Sequence, residues 1–273
     1  MIGLGAIGGS LVRQARVAGI PTILGWSPEP ADRAAAARDG VLDDAPARAE
    51  AVAERADLLV LAAPPAANRD LLASLGPCLR AGALATDTGS VKRAVVAQAE
   101  ALGLETRFAG SHPMAGTHAR GFAASRGDLF RGAVVYVTPA QGGAAAAREI
   151  AHFWQAVLEA EPVIMDAARH DAQLAVTSHV PQVAASLLAH FLAAHAPPGA
   201  TFGPGALDTT RLAASNPSLW TEILLMNRDE VLTVLRALEE PLGELVRALE
   251  TADARAVHDW LTRAADWRRS VGR

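Results

Sequence analysis

Several short segments carry residue types that could do chemistry on a small ligand. Thr86-Asp87-Thr88-Gly89-Ser90-Val91-Lys92 and Gly110-Ser111-His112-Pro113-Met114-Ala115-Gly116 place hydroxyl, carboxylate and imidazole groups just after apolar runs that read as strands. Ligands of open parallel sheets bind at such strand ends. Taken singly, either segment is as well explained as an ordinary turn, because small polar residues are turn formers. Ser178-His179-Val180-Pro181-Gln182 sets polar groups and a helix-kinking proline inside an apolar helix. A histidine in such a place is more often a satisfied core residue than a catalyst. Asp208-Thr209-Thr210-Arg211-Leu212-Ala213 offers a guanidinium that can present a two-pronged donor to a carboxylate.

These segments gain weight from the start of the chain. Gly3-Leu4-Gly5-Ala6-Ile7-Gly8 is a G-x-G-x-x-G pattern, followed by an expected helix from Ser10 to Ala18 and a strand from Thr22 to Gly25. Such glycines allow a tight turn, close approach of backbone to a pyrophosphate, and close helix packing, with the phosphates over the helix N-terminus. Alone the pattern is weak, since any α/β protein can contain a glycine-rich turn; its strand and helix context makes it a dinucleotide loop. Gly3, Gly5, Ala6, Ile7 and Gly8 are therefore candidate cofactor contacts, with Ala63, Pro64 and Asp87 at later strand ends. Only Met1 and Ile2 precede Gly3, so most of a first strand of about five residues is missing, and the expected start lies upstream of Met1. At the end of the second strand, where NAD sites carry an acid for the ribose, stands Ser27. Without that carboxylate a 2′-phosphate is not repelled, and Arg33 is close enough in sequence to pair with it. The cofactor is then NAD or NADP, with a tilt toward NADP; Asp32 as a ribose acceptor and Arg33 as a solvated helix residue remain alternatives.

The elements that must position these groups follow from periodicity. Strand-like runs at Leu58 to Ala63, Ala83 to Thr86, Arg107 to Ala109, Val134 to Val137 and Val163 to Met165 alternate with helical stretches, including Ala144 to Leu158. That alternation implies βαβ units and a mainly parallel sheet. From Asp166 onward the chain reads as helical, with Pro181, Pro204, Pro217 and Pro241 marking kinks or starts. The fold class is thus α/β plus all-α: a Rossmann-type dinucleotide-binding domain over 1–165, then a helical domain over 166–273. Helices apolar on several faces, such as Val183 to Leu192, must bury them against something, and a second subunit is the expected partner. With 273 residues, 51% of them hydrophobic, the chain can build this core, and a net charge of −4 argues against nucleic acid. The single Cys78 rules out an intramolecular disulfide and any thiolate cluster, so no metal is expected and a reducing cytoplasm is the natural compartment. No apolar run approaches the roughly 18 residues of a membrane span, so no membrane partner is expected.

Over nearly its whole length the sequence resembles the prephenate and arogenate dehydrogenases of tyrosine biosynthesis. The likeness runs, in order, through Gly3 to Ser10, Asp87 to Lys92, Gly110 to Gly116, His170-Asp171, Ser178 to Pro181, Thr210 to Ala213, and Trp220. The resemblance implies oxidative decarboxylation of a cyclohexadienol with hydride transfer to the nicotinamide. It places His112 against the substrate hydroxyl as proton acceptor, near its reference pKa of about 6.5. It places Ser90 on the same oxygen, Arg211 on a substrate carboxylate, and His179 in the pocket wall. Trp220 is implied to reach a partner's active site across a homodimer, with an ordinary core aromatic as the alternative. After Thr117, where many members carry an acid, this chain has His118, and Gln182 stands where a second histidine often ends the Ser-His-x-Pro motif. Both departures bear on substrate preference and tyrosine inhibition. No ACT-type or chorismate mutase segment is recognised, so a bare dehydrogenase is expected. The rival readings are a β-hydroxyacid dehydrogenase or pyrroline carboxylate reductase, which would be expected to use a lysine or other polar groups in the helical half, and a dinucleotide sensor without turnover. The helical half has no lysine, and the presence of Ser90, His112 and Arg211 speaks for turnover.

Overall fold

The glycine-rich turn at the chain start leads directly into α1 (Ala6–Val17), so the helix begins four residues earlier than its apolar pattern suggests. The structure, a computed structural model, describes residues 1–116 and 119–271. There follow α2 (Pro30–Arg38), α3 (Ala49–Ala53), β1 (Leu58–Leu61), α4 (Pro65–Leu75), β2 (Leu84–Asp87), α5 (Arg93–Ala101), β3 (Ala109–Pro113), β4 (Val134–Pro139), α6 (Ala144–Leu158) and β5 (Glu161–Ile164). β1 and β2 pair in parallel, and a parallel bridge from Ala85 to Phe108 joins them to β3. β4 then runs antiparallel to β3, with β5 parallel to β4, so the expectation of a mainly parallel sheet holds on one side only.

Both faces of this sheet are covered, which explains the unbroken apolar run at β1. Leu59 and Leu61 pack into one core with Leu72, Val95 and Phe108, whereas Val60 packs into another with Leu11, Val137, Ile150 and Trp154. Successive residues of one strand thus feed opposite layers. The expected first and second strands are present only as single bridges: Ile2 with Trp26 and Leu61, and Leu24 with Asp44. Met1 donates its terminal amine to Leu24 O at 2.8 Å. Burial lowers the pKa of that amine from 8.0 to about 5, because the charged form loses its water. Beside Met1 a cavity of about 380 Å³ opens between Ile23 and Leu24 on one side and Leu58 and Val60 on the other.

After β5 the chain is helical: α7 (Ala167–Leu174), α8 (Val180–His195), α9 (Pro204–Thr210), α10 (Pro217–Met226), α11 (Arg228–Ala237), α12 (Glu239–Glu250) and α13 (Ala254–Ser270). Pro204 and Pro217 open α9 and α10, where a missing N–H costs nothing. Between α7 and α8 the residues Ala175–His179 form a π-helical turn, so the irregularity lies just before Pro181. Large apolar side chains remain open to solvent across this half, among them Leu187, Phe191, Leu225, Leu242, Leu249 and Trp267. Among the described residues no helix is long and apolar enough to cross a membrane.

Candidate functional site

The dinucleotide loop is built by close contact. Gly3 has φ +92°, and a Cβ there would stand 2.4 Å from Ala62 O; a Cβ on Gly8 would stand 1.9 Å from Gly3 O. Only glycine lets α1 approach the turn this closely. By contrast, a Cβ on Gly5 would meet nothing within 4 Å. The space over Gly5 is therefore an open cradle at the N-terminus of α1, where no side chain caps the helix. The leading N–H groups of a helix lack intrahelical partners, so those of Ala6 and Ile7 can be offered to an anion. These residues fit the diphosphate of a dinucleotide.

Around the cradle the polar groups are partly committed. Ser27 is buried, its hydroxyl accepts from Glu29 N at 3.3 Å, and Arg33 Nη1 donates to Ser27 O at 2.5 Å. Arg33 therefore folds back onto the strand end where the ribose acid is missing. Asp32 instead accepts from Phe122 N at 2.8 Å, which ties it to the 3-10 turn at Phe122–Ala124. Ala63 donates its N–H to Asn68 Oδ1 at 2.9 Å, and Pro64 is the exposed N-cap of α4.

Asp87 ends β2 with both carboxylate oxygens already occupied. Lys92, the only lysine in the sequence, lies fully buried and donates to both oxygens at 2.6 Å and to Ser111 O at 2.7 Å. All three ammonium protons thus find acceptors. Burial lowers the Lys92 pKa and the Asp87 charge resists that. Gly89 N adds a further bond to Asp87 at 2.8 Å, so this carboxylate shapes the loop that carries Ser90. Ser90 itself is half-buried, and its hydroxyl makes no hydrogen bond among the described residues.

His112 stands on β3 beside that loop, with its ring half-buried. Its Nδ1 lies 2.9 Å from Nε2 of His170 in α7, whose own Nδ1 lies 2.8 Å from Asp171 Oδ1. Asp171 also accepts from Lys92 N at 2.8 Å and Arg93 N at 2.9 Å. Burial pushes the Asp171 carboxyl up, but its bonds from His170, Arg93 and Lys92 together hold it below the usual value. It is an anion. His112 is driven well below 6.5, first by burial and then by repulsion from His170, Lys92 and His179. This replaces the expectation of a near-reference imidazole: the sequence shows neither the burial nor the nearness of Lys92 and the other two rings.

Farther into the helical half, the π-helical turn sets His179 inward. Asn227, fully buried between α10 and α11, donates to Asp171 O at 2.8 Å and to His179 Nδ1 at 3.2 Å. His179 therefore carries its proton on Nε2, and burial lowers its pKa to about 4. Trp220 stands edge-on to His179 of its own chain, ring centroids 6.0 Å apart. Gln182 donates to Leu212 O at 2.8 Å and so ties α8 to the 3-10 turn Arg211–Ala214. Arg211 is exposed and makes no ion pair among the described residues. Thr117 and His118 lie outside the described residues. The structure thus links His112, His170, Asp171, Asn227, His179 and Trp220 in one network; Ser90 lies two residues before Lys92 in the loop after β2, and Gln182 bonds the residue that follows Arg211. Asn68 and Asn227 give little sequence signal, each being a lone amide in a helical segment.

Comparisons with known proteins agree with this picture. The sequence matches the family description "Prephenate dehydrogenase, nucleotide-binding domain" over residues 11–163 and "Prephenate dehydrogenase, dimerization domain" over residues 166–263. It is 34% identical to a cyclohexadienyl dehydrogenase of Zymomonas mobilis, covering 93% of this chain and 88% of the relative. It is 31% identical to a prephenate dehydrogenase of Lactococcus lactis, covering 94% and 72%. A crystal structure of prephenate dehydrogenase from A. aeolicus in complex with hydroxyphenyl propionate and NAD+ superposes with a TM-score of 0.90 at 28% identity, covering 99% of this chain and 96% of that one.

Proposed function

Because the chain belongs to the prephenate dehydrogenase family, we propose that it converts prephenate or arogenate, by oxidation and decarboxylation, to 4-hydroxyphenylpyruvate or tyrosine. The observation that carries this reading is His112, held through its Nδ1 by His170 so that Nε2 is free for a substrate hydroxyl. When bound over Gly5 and the start of α1, the nicotinamide dinucleotide supplies the hydride acceptor. The protein's own tasks are then few. His112 holds the hydroxyl proton, Ser90 hydrogen-bonds the same oxygen, and Arg211 clamps a carboxylate, a charged bond worth about 1.5 to 3 kcal/mol. His179, its Nε2–H free to donate, lines the pocket near the same end as Trp220 and Gln182; Thr117 and His118 belong to this reading by sequence alone.

Cofactor choice rests on the second strand end. Ser27 leaves no carboxylate to repel a 2′-phosphate, and Arg33 stands beside it, so NADP is favoured. NAD is the second reading, supported by the NAD+ in the related A. aeolicus complex. The exposed apolar side chains of the helical half supply the surface for a homodimer. Steady-state rates with prephenate and arogenate, each with NAD and NADP, test the proposal directly. Substantial kcat/KM for one substrate with release of carbon dioxide is expected; no turnover in any of the four combinations would overturn it.

A further inference from the structure

The reaction proposed above has an unusual proton balance. The ring oxygen gives up a proton as its carbon is oxidised. It needs one again when the bond to the carboxylate breaks, carbon dioxide leaves, and the freed electron pair completes the ring. The proton is only lent, and it must be held nearby.

From the geometry we infer that His170 and Asp171 are the positioning pair behind His112 and share the lent charge until the ring oxygen reclaims its proton. The inference rests on the proposed function for its substrate, but its structural basis is independent. Asp171 is an anion that accepts from Lys92 N, Arg93 N and His170 Nδ1. A carboxylate can only accept there, so His170 carries its proton on Nδ1 and its Nε2 is a lone pair. That lone pair lies 2.9 Å from His112 Nδ1, so His112 is the Nδ1–H tautomer. Its own Nε2 is then the acceptor facing substrate. When the hydroxyl proton arrives on His112 Nε2, the Nδ1 proton passes to His170 Nε2. His170 becomes a cation paired with Asp171, and both protons return when the ring oxygen reclaims its own.

The other charged and titratable groups packed on these rings are Asp87 at the end of β2, Lys92 just before α5, Arg93 at the start of α5, Glu230 of α11 behind Arg93, Tyr136 of β4, and His179. Lys92 and Asp87 are a paired cation and anion, as are Arg93 and Glu230. His179 is neutral near pH 7 because its pKa is about 4. Tyr136 makes a T-shaped contact with His170 and accepts from Gln173 at its hydroxyl. Asp171 is thus the anion in direct contact with the pair of rings.

His170→Gln separates positioning from proton transfer. A glutamine can donate to Asp171 and accept from His112, which keeps the ring in place, but an amide does not take up a proton. The expected variant folds and binds dinucleotide as the parent does, keeps KM within about 2-fold, and loses kcat by about 10-fold. In the ligand-free protein, imidazole nitrogen NMR should show His112 as the Nδ1–H tautomer in the parent, with its titration displaced in His170→Gln. Parent-like kcat and an unchanged His112 titration would overturn the inference. So would an Nε2–H tautomer of His112 in the parent, a measurement that needs no variant. A parent inert toward both substrates would count against the proposed function, while the ring titration would still decide the relay.

Discussion

At the scale of single residues, the site is a set of side chains whose freedom has been used up by their neighbours. His112 was legible as a chemical candidate from its segment, and its family role from resemblance. Its ionisation was not legible, because burial and the nearby Lys92 and His170 arise only in the fold. Held well below 6.5, the ring is neutral near pH 7 and accepts a proton without first having to lose one. His112→Asn keeps a donor and an acceptor on a similar frame but takes up no proton. Its kcat is expected to fall by about 10²-fold or more with dinucleotide affinity nearly unchanged. Single-turnover rates alongside a titration with reduced cofactor check both halves, and near-normal turnover would remove His112 from the proton's path.

At the scale of elements, the turn into α1 makes two glycines of one motif do different things. On Gly8 a methyl would collide with Gly3 O, whereas on Gly5 it would enter open space. Gly8→Ala should therefore lower Tm by several degrees, since a backbone oxygen at 1.9 Å must move. Gly5→Ala should leave Tm within a degree or two and weaken dinucleotide binding about 10-fold or more. Thermal melts with and without cofactor compare the two, and equal effects would contradict the cradle. The motif was plain in the sequence, as were β2, β4, β5 and the change to helix beyond β5, whereas the strand read at Arg107 to Ala109 runs from Ala109 to Pro113 and takes His112 into itself. What sequence could not show was contact between distant segments. The antiparallel turn of β4 against β3, the π-helical turn before Pro181, and Asn227 bridging Asp171 to His179 all depend on partners far along the chain. Periodicity reports which face of an element is buried, not against what.

At the scale of the whole molecule, the helical half exposes side chains that a lone chain would keep covered. Leu187, Leu225, Leu242, Leu249 and Trp267 are each more than 60% open. A two-fold dimer is the simplest closed arrangement that buries one such surface on another. Sedimentation at nanomolar concentration should show a dimer, and dissociation by dilution should lower Tm; a stable, fully active monomer would contradict it. Trp220, read by resemblance as reaching toward a partner, stands edge-on to His179 of its own chain. The burial of Lys92 has a last, practical consequence. With no other lysine in the sequence, the folded protein offers reagents no lysine amine. Acylating esters, reductive methylation and aldehyde cross-linkers should leave Lys92 untouched, as should any enzyme that marks lysine side chains. Brief acylation at neutral pH followed by mass spectrometry should therefore find Lys92 unmodified, and denaturant should make it react. Label on Lys92 would become a clock for opening of the molecule, counting each excursion in which the catalytic core comes apart.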